Sequence, residues 1–291
     1  MPVELRTLQY FLTVARDGNL SRAAETLHLT QPTLSRQVAQ LEAELGCKLF
    51  DRDRQMALTE QGRLLERRAR ELLQLADKTR SELVEQSCMG GSIALGSGGL
   101  AVAGAVADAL SSFCAQNPDV TFRIYTNAAD HLQAHLDQGD LDFALLLEPV
   151  DTERYDFVRM AQPEVWGLFM RAGHPLSSRD GLTYADLRDV PLLVSERLPL
   201  QREFTAWAGA PLEGLDVLGR FNLINNTVHF VESFDACVLT IAGSVQAFDP
   251  ARYAFVPLVP ALTTGSVLAW KKAVPLSRTC AGFLAHLKER L

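Results

Sequence analysis

Apolar residues in the N-terminal part of the chain recur at helical spacing in three short runs, and turn residues separate these runs. Residues 4–16 predict one amphipathic helix, which Gly18 helps to end. Ser21 is the predicted N-cap of a second, shorter helix, and Thr30 is the predicted N-cap of a third, which ends at Gly46. Two short helices joined by a tight turn behind a bracing helix predict a helix-turn-helix unit.

The third of these helices has one apolar face and one polar face. Its predicted buried stripe consists of Leu34, Val38, Leu41 and Leu45. The opposite face carries Gln31, Thr33, Ser35, Arg36 and Gln37 near the N-terminal end. The N-terminal end of a recognition helix enters the major groove of DNA, where Arg pairs with guanine and Gln with adenine. A solvated surface face carries similar residues, so spacing alone leaves both interpretations open.

A longer motif favours the DNA-binding interpretation. Residues 20–62 begin LSRAAETLHLTQPTLSRQV and continue with Leu41-Glu42, Leu45-Gly46, Leu49-Phe50, Leu58-Thr59 and Gly62. This segment closely resembles the LysR-type transcriptional regulators. The resemblance covers the whole chain but is strongest in the first 65 residues.

The resemblance implies a fold, a domain organisation and a set of partners. The fold is an N-terminal all-α winged helix-turn-helix with a long linker helix, followed by a two-lobed α/β effector domain of the periplasmic-binding-protein type. The implied domains are residues 1–58 for DNA binding, 59–89 for dimerisation and 90–291 for effector binding and regulation. The implied partners are double-stranded DNA with a pseudo-palindromic operator, a small-molecule effector, further copies of the chain in a homodimer or homotetramer, and RNA polymerase.

The candidate DNA contacts lie on the second and third helices and in the wing. On the helices they are Ser21, Arg22, Thr30, Gln31, Pro32, Thr33, Ser35 and Arg36. In the wing, Arg52 and Arg54 are candidate phosphate or minor-groove contacts. The wing is about one residue shorter than is usual in the family, and Asp51 and Asp53 dilute its positive charge. We therefore expect a tight or distorted hairpin with a reduced contribution to affinity.

Residues 59–88 predict a long helix with a heptad seam. The seam positions are Leu65, Ala69, Leu72, Ala76, Thr79 and Leu83. This pattern favours dimerisation over the alternative that the helix only packs on its own domain. A symmetric dimer would present two recognition helices to a pseudo-palindromic site.

The charge distribution and the cysteine spacing limit the classes of protein to which this chain can belong. The net charge is −7, and all of it falls beyond residue 89, because residues 1–89 hold equal numbers of basic and acidic side chains. The five cysteines are widely spaced and form no CxxC pair, which indicates reduced thiols, a cytoplasmic protein and no zinc site. No signal peptide or membrane-spanning stretch is recognisable.

After a flexible joint at residues 90–92, strand and helix patterns alternate. Short apolar strands near residues 93–96, 120–124 and 141–147 are separated by helices, which predicts an open α/β sheet. A second series of strands and helices follows over residues 165–291. The resemblance assigns these two series to two lobes.

Polar residues at the ends of the predicted strands mark a candidate effector site. The candidates are Ser97, Gly98, Leu100, Thr126, Asn127, Ser195, Asn225, Asn226 and His229. The glycine-rich turn at residues 96–99 predicts backbone N–H groups that bind an anion at a helix N-terminus, although close packing would also explain its glycines. Leu100 replaces a hydroxyl residue of similar family members, which favours a weaker carboxylate grip or a more apolar effector. The acidic domain predicts that local N–H groups hold any bound anion.

Two other functions are compatible with parts of the sequence. The pattern Gly96-x-Gly98-x-x-Ala101 is a loose dinucleotide fingerprint, but the second strand does not end in the acidic residue that NAD binding requires. A redox sensor would use Cys237 with Cys114 or Cys280, and buried inert thiols are the simpler interpretation. No catalytic motif is present, so the prediction is a regulator without enzymatic activity, cofactor or metal.

Overall fold

The computed structural model describes residues 4–51, 56–84, 89–210 and 214–291. Contacts between Cα atoms divide the chain into an N-terminal unit, Met1–Ser87, and a C-terminal unit, Cys88–Leu291. The predicted wing contacts Arg52 and Arg54 lie outside the described residues. In the described part of the chain, no helix is long and apolar enough to cross a membrane.

The N-terminal unit contains three helices, a two-stranded hairpin and a long fourth helix. These elements are α1 Leu5–Asp17, α2 Leu20–Thr26, α3 Gln31–Leu45, β1 Phe50–Asp51, β2 Ala57–Leu58 and α4 Glu60–Val84. The two strands are antiparallel, with Phe50 opposite Leu58. The predicted helix-turn-helix and its following hairpin are confirmed.

The helix ends are partly as predicted. Gly18 and Gly46 adopt the left-handed conformation that ends α1 and α3, as predicted. Ser21 is not the N-cap of α2. Asn19 takes that position, and its side-chain oxygen accepts hydrogen bonds from the backbone N–H groups of Ser21 and Arg22. Both side chains can cap a helix, and the earlier one does so here, which places Ser21 in the first turn.

The core of the N-terminal unit lies between α1, α2 and α3. Phe11, Leu34, Val38 and Leu41 are almost completely buried. The prediction that Leu45 belongs to this stripe is wrong, because its side chain is 38% exposed. The core does not extend beneath the last turn of α3. Leu45 therefore keeps the helical spacing of the apolar stripe but is not buried.

The C-terminal unit contains two mixed sheets. Its first series of elements is β3 Gly91–Ser97, α5 Ala103–Gln116, β4 Val120–Thr126, α6 Ala129–Gln138, β5 Phe143–Leu147 and β6 Tyr155–Arg159. The second series is β7 Glu164–Arg171, β8 Leu192–Ser195, α7 Leu198–Ala208, β9 Val217–Phe221, α8 Thr227–Phe234, β10 Cys237–Ile241, α9 Ala242–Val245, β11 Tyr253–Pro257 and β12 Thr263–Thr264. The chain ends with β13 Ser266–Lys271 and α10 Arg278–Lys288.

The strand order shows how the chain divides between the two lobes. The first sheet has the order β4-β3-β5-β13-β6, and the second has the order β11-β7-β10-β8-β9, with β12 beside β7. Strands β3, β4 and β5 are parallel, as the sequence predicts, whereas β13 is antiparallel to both β5 and β6. The chain therefore passes to the second sheet after β6 and returns at β13, and these two crossings place a cleft between the lobes.

Candidate functional site

The candidate DNA contacts form an exposed polar surface on α2 and α3. Its described members are Ser21, Arg22, Thr30, Gln31, Pro32, Thr33 and Arg36, which are exposed, and Ser35, which is partly buried. Neither helix has an acidic residue in its first turn. No hydrogen bond or ion pair engages the Arg36 guanidinium within the described ranges, so this group is available to bind phosphate or a base edge.

A buried carboxylate connects α3 to the hairpin. Glu42 is 3% exposed, and it accepts hydrogen bonds from the backbone N–H groups of Leu49 (2.9 Å) and Phe50 (3.3 Å). The Lys48 ammonium donates to its second oxygen at 2.9 Å. Burial alone would raise the pKa of Glu42, but the hydrogen bonds from Lys48 and the two N–H groups together hold it below the ordinary value. This arrangement holds α3 at a defined position relative to β1.

The predicted dimerisation seam of α4 divides into two parts. Ala69 is fully buried in the core of its own unit, and Leu65 packs against that core. These two positions therefore face α1 and the core of their own unit. The sequence did not reveal this, because a heptad pattern does not distinguish packing within a chain from packing between chains. Leu72 is 48% exposed. Ala76 is partly buried, Thr79 is exposed, and the Leu83 side chain lies outside the described part of the structure.

Two further leucines of α4, which the predicted seam does not include, are exposed. Leu64 is 50% exposed and Leu75 is 53% exposed. At helical spacing they lie on the same side of α4 as Leu72, together with the ion pair Arg68–Glu71, and we call these three leucines the α4 leucine surface. Sequence reasoning missed Leu64 and Leu75 because it followed a single heptad register.

A cavity of about 500 Å³ lies in the C-terminal unit, and residues from both sheets line it. Six of the nine candidate effector residues line this cavity: Gly98, Leu100, Thr126, Asn127, Ser195 and Asn225. Three do not. Ser97 is 8% exposed, and its hydroxyl donates to the Gly98 carbonyl oxygen at 2.6 Å. Asn226 and His229 are exposed and lie outside the lining.

The start of α5 already has an anionic partner from within the chain. Glu164, at the beginning of β7, is completely buried, and its carboxylate accepts hydrogen bonds from the N–H groups of Ala101 (2.5 Å) and Gly243 (3.2 Å). Burial raises the pKa of Glu164, although the N–H groups oppose this effect. The predicted anion-binding helix start is therefore occupied by a side chain from another strand, which local sequence could not reveal.

Gly243 allows this close approach because it lacks a side chain. A Cβ atom at that position would lie 2.0 Å from the Ala101 nitrogen and 2.6 Å from the Glu164 carboxylate. No rearrangement of a flexible side chain would relieve the contact with backbone. Glycine is thus required where the start of α5 meets the start of α9.

Sequence reasoning also missed a charged residue in the cavity lining. Arg197 follows β8 and lines the cavity, and its Nε atom is buried without a hydrogen-bond partner among the described residues. Burial lowers the pKa of Arg197, while the negative charges of Asp130 and Glu203 act in the opposite direction. Arg197 is therefore a charged donor in the cavity lining that the prediction based on backbone N–H groups did not include. The available signal was that Arg197 lies two residues after Ser195, at the same strand end.

The cysteines do not favour the redox alternative. Cys237 is completely buried, its sulfur lies 3.7 Å from His174 Nε2, and burial raises the pKa of its thiol to about 12. Such a thiol is protonated at neutral pH and reacts slowly with oxidants. Of the four cysteines in the described ranges, none forms a disulfide. Within the same ranges, no group of three or more His, Cys, Asp or Glu side chains is placed to bind a metal ion.

Two family models match the sequence. Residues 5–63 match the bacterial regulatory helix-turn-helix protein, lysR family, and residues 89–291 match the LysR substrate binding domain. The second match alone covers more than half of the chain.

Individual relatives share one or both regions. The sequence is 32% identical over 196 residues to the HTH-type transcriptional regulator BsdA of Bacillus subtilis (66% of this chain, 67% of the relative). It is 37% identical over 196 residues to the SDS degradation transcriptional activation protein of Pseudomonas sp. (65% and 63%). The chain thus spans about two thirds of the length of these relatives. The match to the Hca operon transcriptional activator HcaR of Escherichia coli is 27% identical and covers 99% and 98% of the two chains.

Solved structures show the same fold. Full-length CbnR in complex with its target DNA has a TM-score of 0.74 at 22% identity, covering 99% of this chain and 100% of the other. A full-length OxyR variant from Pseudomonas aeruginosa has a TM-score of 0.67 at 21% identity, covering 99% and 94%.

Proposed function

Because the chain belongs to the LysR family of bacterial helix-turn-helix transcriptional regulators, which are not enzymes, we propose that it binds a pseudo-palindromic operator and regulates transcription in response to a small molecule. The polar surface of α3 carries the DNA-binding part of this proposal. Arg36 is exposed on that surface while Leu34 and Val38 anchor the helix beneath it. The protein would act in the cytoplasm, together with RNA polymerase at the promoter.

Substitution of Arg36 tests the DNA-binding proposal. We expect Arg36→Ala to weaken binding to duplex DNA from upstream of the protein's own gene by about 1–3 kcal/mol, because one base or phosphate contact is lost. Binding is measured by fluorescence anisotropy of labelled operator and of a scrambled duplex. Arg290→Ala, which removes one charge near the C-terminus, is the control. Equal operator affinity of the wild type and Arg36→Ala would overturn the assignment of α3.

The wing arginines are part of the same proposal. We propose that Arg52 and Arg54 contact phosphates or the minor groove, which would make their contribution independent of base sequence. Substituting either arginine by alanine is expected to reduce the slope of log affinity against log salt concentration by about 1, which corresponds to one phosphate contact. The reduction should be the same on operator and on scrambled DNA.

We further propose that two copies of the chain pair through the α4 leucine surface. Three leucines, each about half exposed, favour a partner that removes them from water. We expect Leu72→Glu to convert the dimer to a monomer in light scattering while the helix content stays unchanged, because Leu72 is not part of the core. Arg67→Glu changes the charge of a neighbouring exposed residue and is the control. A wild-type protein that is monomeric at micromolar concentration would contradict this proposal.

Two further exposed apolar patches support a tetramer of two such dimers. In the C-terminal unit, Phe122 and Ile124 are exposed on the edge strand β4, and Phe230 and Phe234 are exposed and stacked on α8. Edge strands with apolar side chains are prone to association. Ile124→Glu is therefore expected to leave dimers and remove tetramers in the same light-scattering measurement.

The effector would bind in the cavity between the lobes and favour one lobe arrangement. The structure offers a blocking variant, because a Cβ atom on Gly98 would meet nothing closer than the Asn127 carbonyl oxygen at 3.7 Å. We expect metabolites that raise the melting temperature to change the DNA footprint, and Gly98→Trp to abolish both effects. Gly104→Trp, at an open position of α5, is the control. Ligands that bind Gly98→Trp undiminished would contradict the cavity assignment.

A further inference from the structure

Arg197 brings a positive charge into the wall of the cavity and leaves it incompletely satisfied. Its Nε atom is buried and has no hydrogen-bond partner in the described part of the chain. No side chain in the described ranges forms an ion pair with the guanidinium within 4 Å. A buried charged donor without a partner destabilises a folded protein, so an acceptor that the described residues do not supply would stabilise this arrangement.

The two acidic residues whose charges act on Arg197 are not the missing hydrogen-bond partner of its Nε atom. Asp130 and Glu203 both act on the charge of Arg197, but neither contacts it directly. The Glu203 carboxylate instead accepts a hydrogen bond from Thr264 at 2.6 Å, and Thr264 accepts one from the Trp166 indole N–H at 2.8 Å. Glu203 is therefore held by a chain of hydrogen bonds that leads back to the cavity wall.

The number of charges limits what the cavity can accept. Among the described residues that line the cavity, Arg197 is the one charged side chain, so the lining offers a single positive charge to an anion. A monoanion that contacts Arg197 directly is balanced by this charge, whereas the second charge of hydrogen phosphate would be buried without a cation. A carboxylate also matches the planar N–H groups of arginine, with which it forms two parallel hydrogen bonds.

The rest of the cavity wall is largely apolar. The apolar side chains include Leu100, Leu132, Leu145, Trp166, Ile224 and Phe248. A ligand that fills a cavity of about 500 Å³ must place most of its surface against these groups. The charged group of such a ligand therefore lies at one end of the molecule, and the rest of the ligand is apolar.

We propose that Arg197 is the specificity-determining residue of the cavity and that the effector is an organic monocarboxylate with an apolar body. The carboxylate accepts a hydrogen bond from Arg197 Nε, and the body packs against Trp166 and the leucines. This inference rests on the proposed effector function of the cavity and specifies its ligand class.

Paired ligands test the inference on the whole chain. A thermal-shift and calorimetry panel contains apolar carboxylates of graded size, from benzoate and hexanoate upward, each with its primary amide, and inorganic phosphate. We expect at least one carboxylate to bind about tenfold or more tightly than its amide, because a charge-assisted hydrogen bond is absent from the amide complex. Arg197→Met should remove this difference, and Arg197→Lys should keep part of it. Arg202→Met, at an exposed position of α7, is the control and should bind like the wild type.

Several outcomes would overturn the inference. These are equal affinity for acid and amide, carboxylates that bind Arg197→Met undiminished, preferential binding of phosphate, and a panel in which no carboxylate binds. Neutral ligands that bind the wild type but not Gly98→Trp would overturn the inference while leaving the proposed effector function intact. Ligands that bind Gly98→Trp and Gly104→Trp equally well would instead remove the proposed function of the cavity.

Discussion

Each unit of the protein buries a glutamate, and the two carboxylates have opposite electrostatic character. Glu42 in the N-terminal unit and Glu164 in the C-terminal unit both accept hydrogen bonds from backbone N–H groups. The pKa of Glu42 lies below its ordinary value, and the pKa of Glu164 lies above it. Two differences account for this: Glu164 is more deeply buried, and the Lys48 ammonium contacts Glu42, whereas in the described part of the chain only N–H donors lower the pKa of Glu164. A direct cation thus helps to offset the penalty of burial at Glu42, and the N–H groups do not offset the larger penalty at Glu164.

This contrast extends to the two candidate sites. The N-terminal unit satisfies its buried charge internally and keeps the guanidinium of Arg36 exposed on α3. Within the described ranges, the C-terminal unit buries Glu164 without a cation and Arg197 Nε without an acceptor. Its cavity is therefore the place where a ligand can supply a missing interaction.

The largest expected effect comes from removing the buried carboxylate of the N-terminal unit. We expect Glu42→Ala to lower the free energy of unfolding of that unit by about 2–3 kcal/mol, because the N–H groups of Leu49 and Phe50 lose their acceptor. All three tryptophans lie beyond residue 87, so tryptophan fluorescence follows the C-terminal unit alone during urea unfolding. A transition seen by far-UV circular dichroism but not by fluorescence then reports the N-terminal unit.

The fluorescence transition should remain unchanged in Glu42→Ala. Glu44→Ala, at an exposed position of the same helix, is the matched control and should alter stability by less than about 0.5 kcal/mol. Similar effects of the two substitutions would show that Glu42 does not hold α3 to the hairpin.

The pKa values of Glu42 and Glu164 shift in opposite directions, so the two carboxylates should affect stability differently as the pH changes. We expect this effect on the free energy of unfolding to be of intermediate size. The folded-state pKa of Glu164 is raised, so its contribution to stability is fully present below the ordinary glutamate value of about 4.5 and is lost as the pH rises through the raised pKa. The folded-state pKa of Glu42 is lowered, so its contribution is present above about 4.5 and is lost as the pH falls through the lowered pKa.

We therefore expect the stability difference between wild type and Glu164→Ala, followed by tryptophan fluorescence, to increase as the pH falls from neutral towards 4.5. The corresponding difference for Glu42→Ala, followed by circular dichroism, should stay constant over that interval and decrease only at lower pH. Parallel pH profiles for the two variants would refute the contrast between the units.

The smallest expected effect is a gain in stability. Arg197→Met removes a partly unsatisfied buried charge and keeps an apolar stem, so we expect the ligand-free C-terminal unit to become about 1 kcal/mol more stable. Urea unfolding followed by tryptophan fluorescence measures this change, and Arg202→Met should leave the transition in place. A loss of stability in Arg197→Met would mean that the free protein already satisfies the guanidinium.

Local sequence patterns predicted most of the helices and several strands. The stops at Gly18 and Gly46 and the parallel pairing of β3, β4 and β5 were recognisable because they depend on neighbouring residues or on the alternation of strand and helix. Six cavity residues were found because parallel strands end at a common edge. The strands β6, β11 and β12 were missed.

What the sequence alone determined about this protein is its family, its helix-turn-helix and the α/β class of its second unit. These depend on periodicity and on a long contiguous motif. Tertiary structure decided that Ala69 packs inside its own unit, that Glu164 occupies the start of α5, and that Arg197 lines the cavity with no partner for Nε among the described residues. Each of these depends on contacts between residues far apart in the chain, and the same local pattern is compatible with burial, pairing or exposure until the fold brings those residues together.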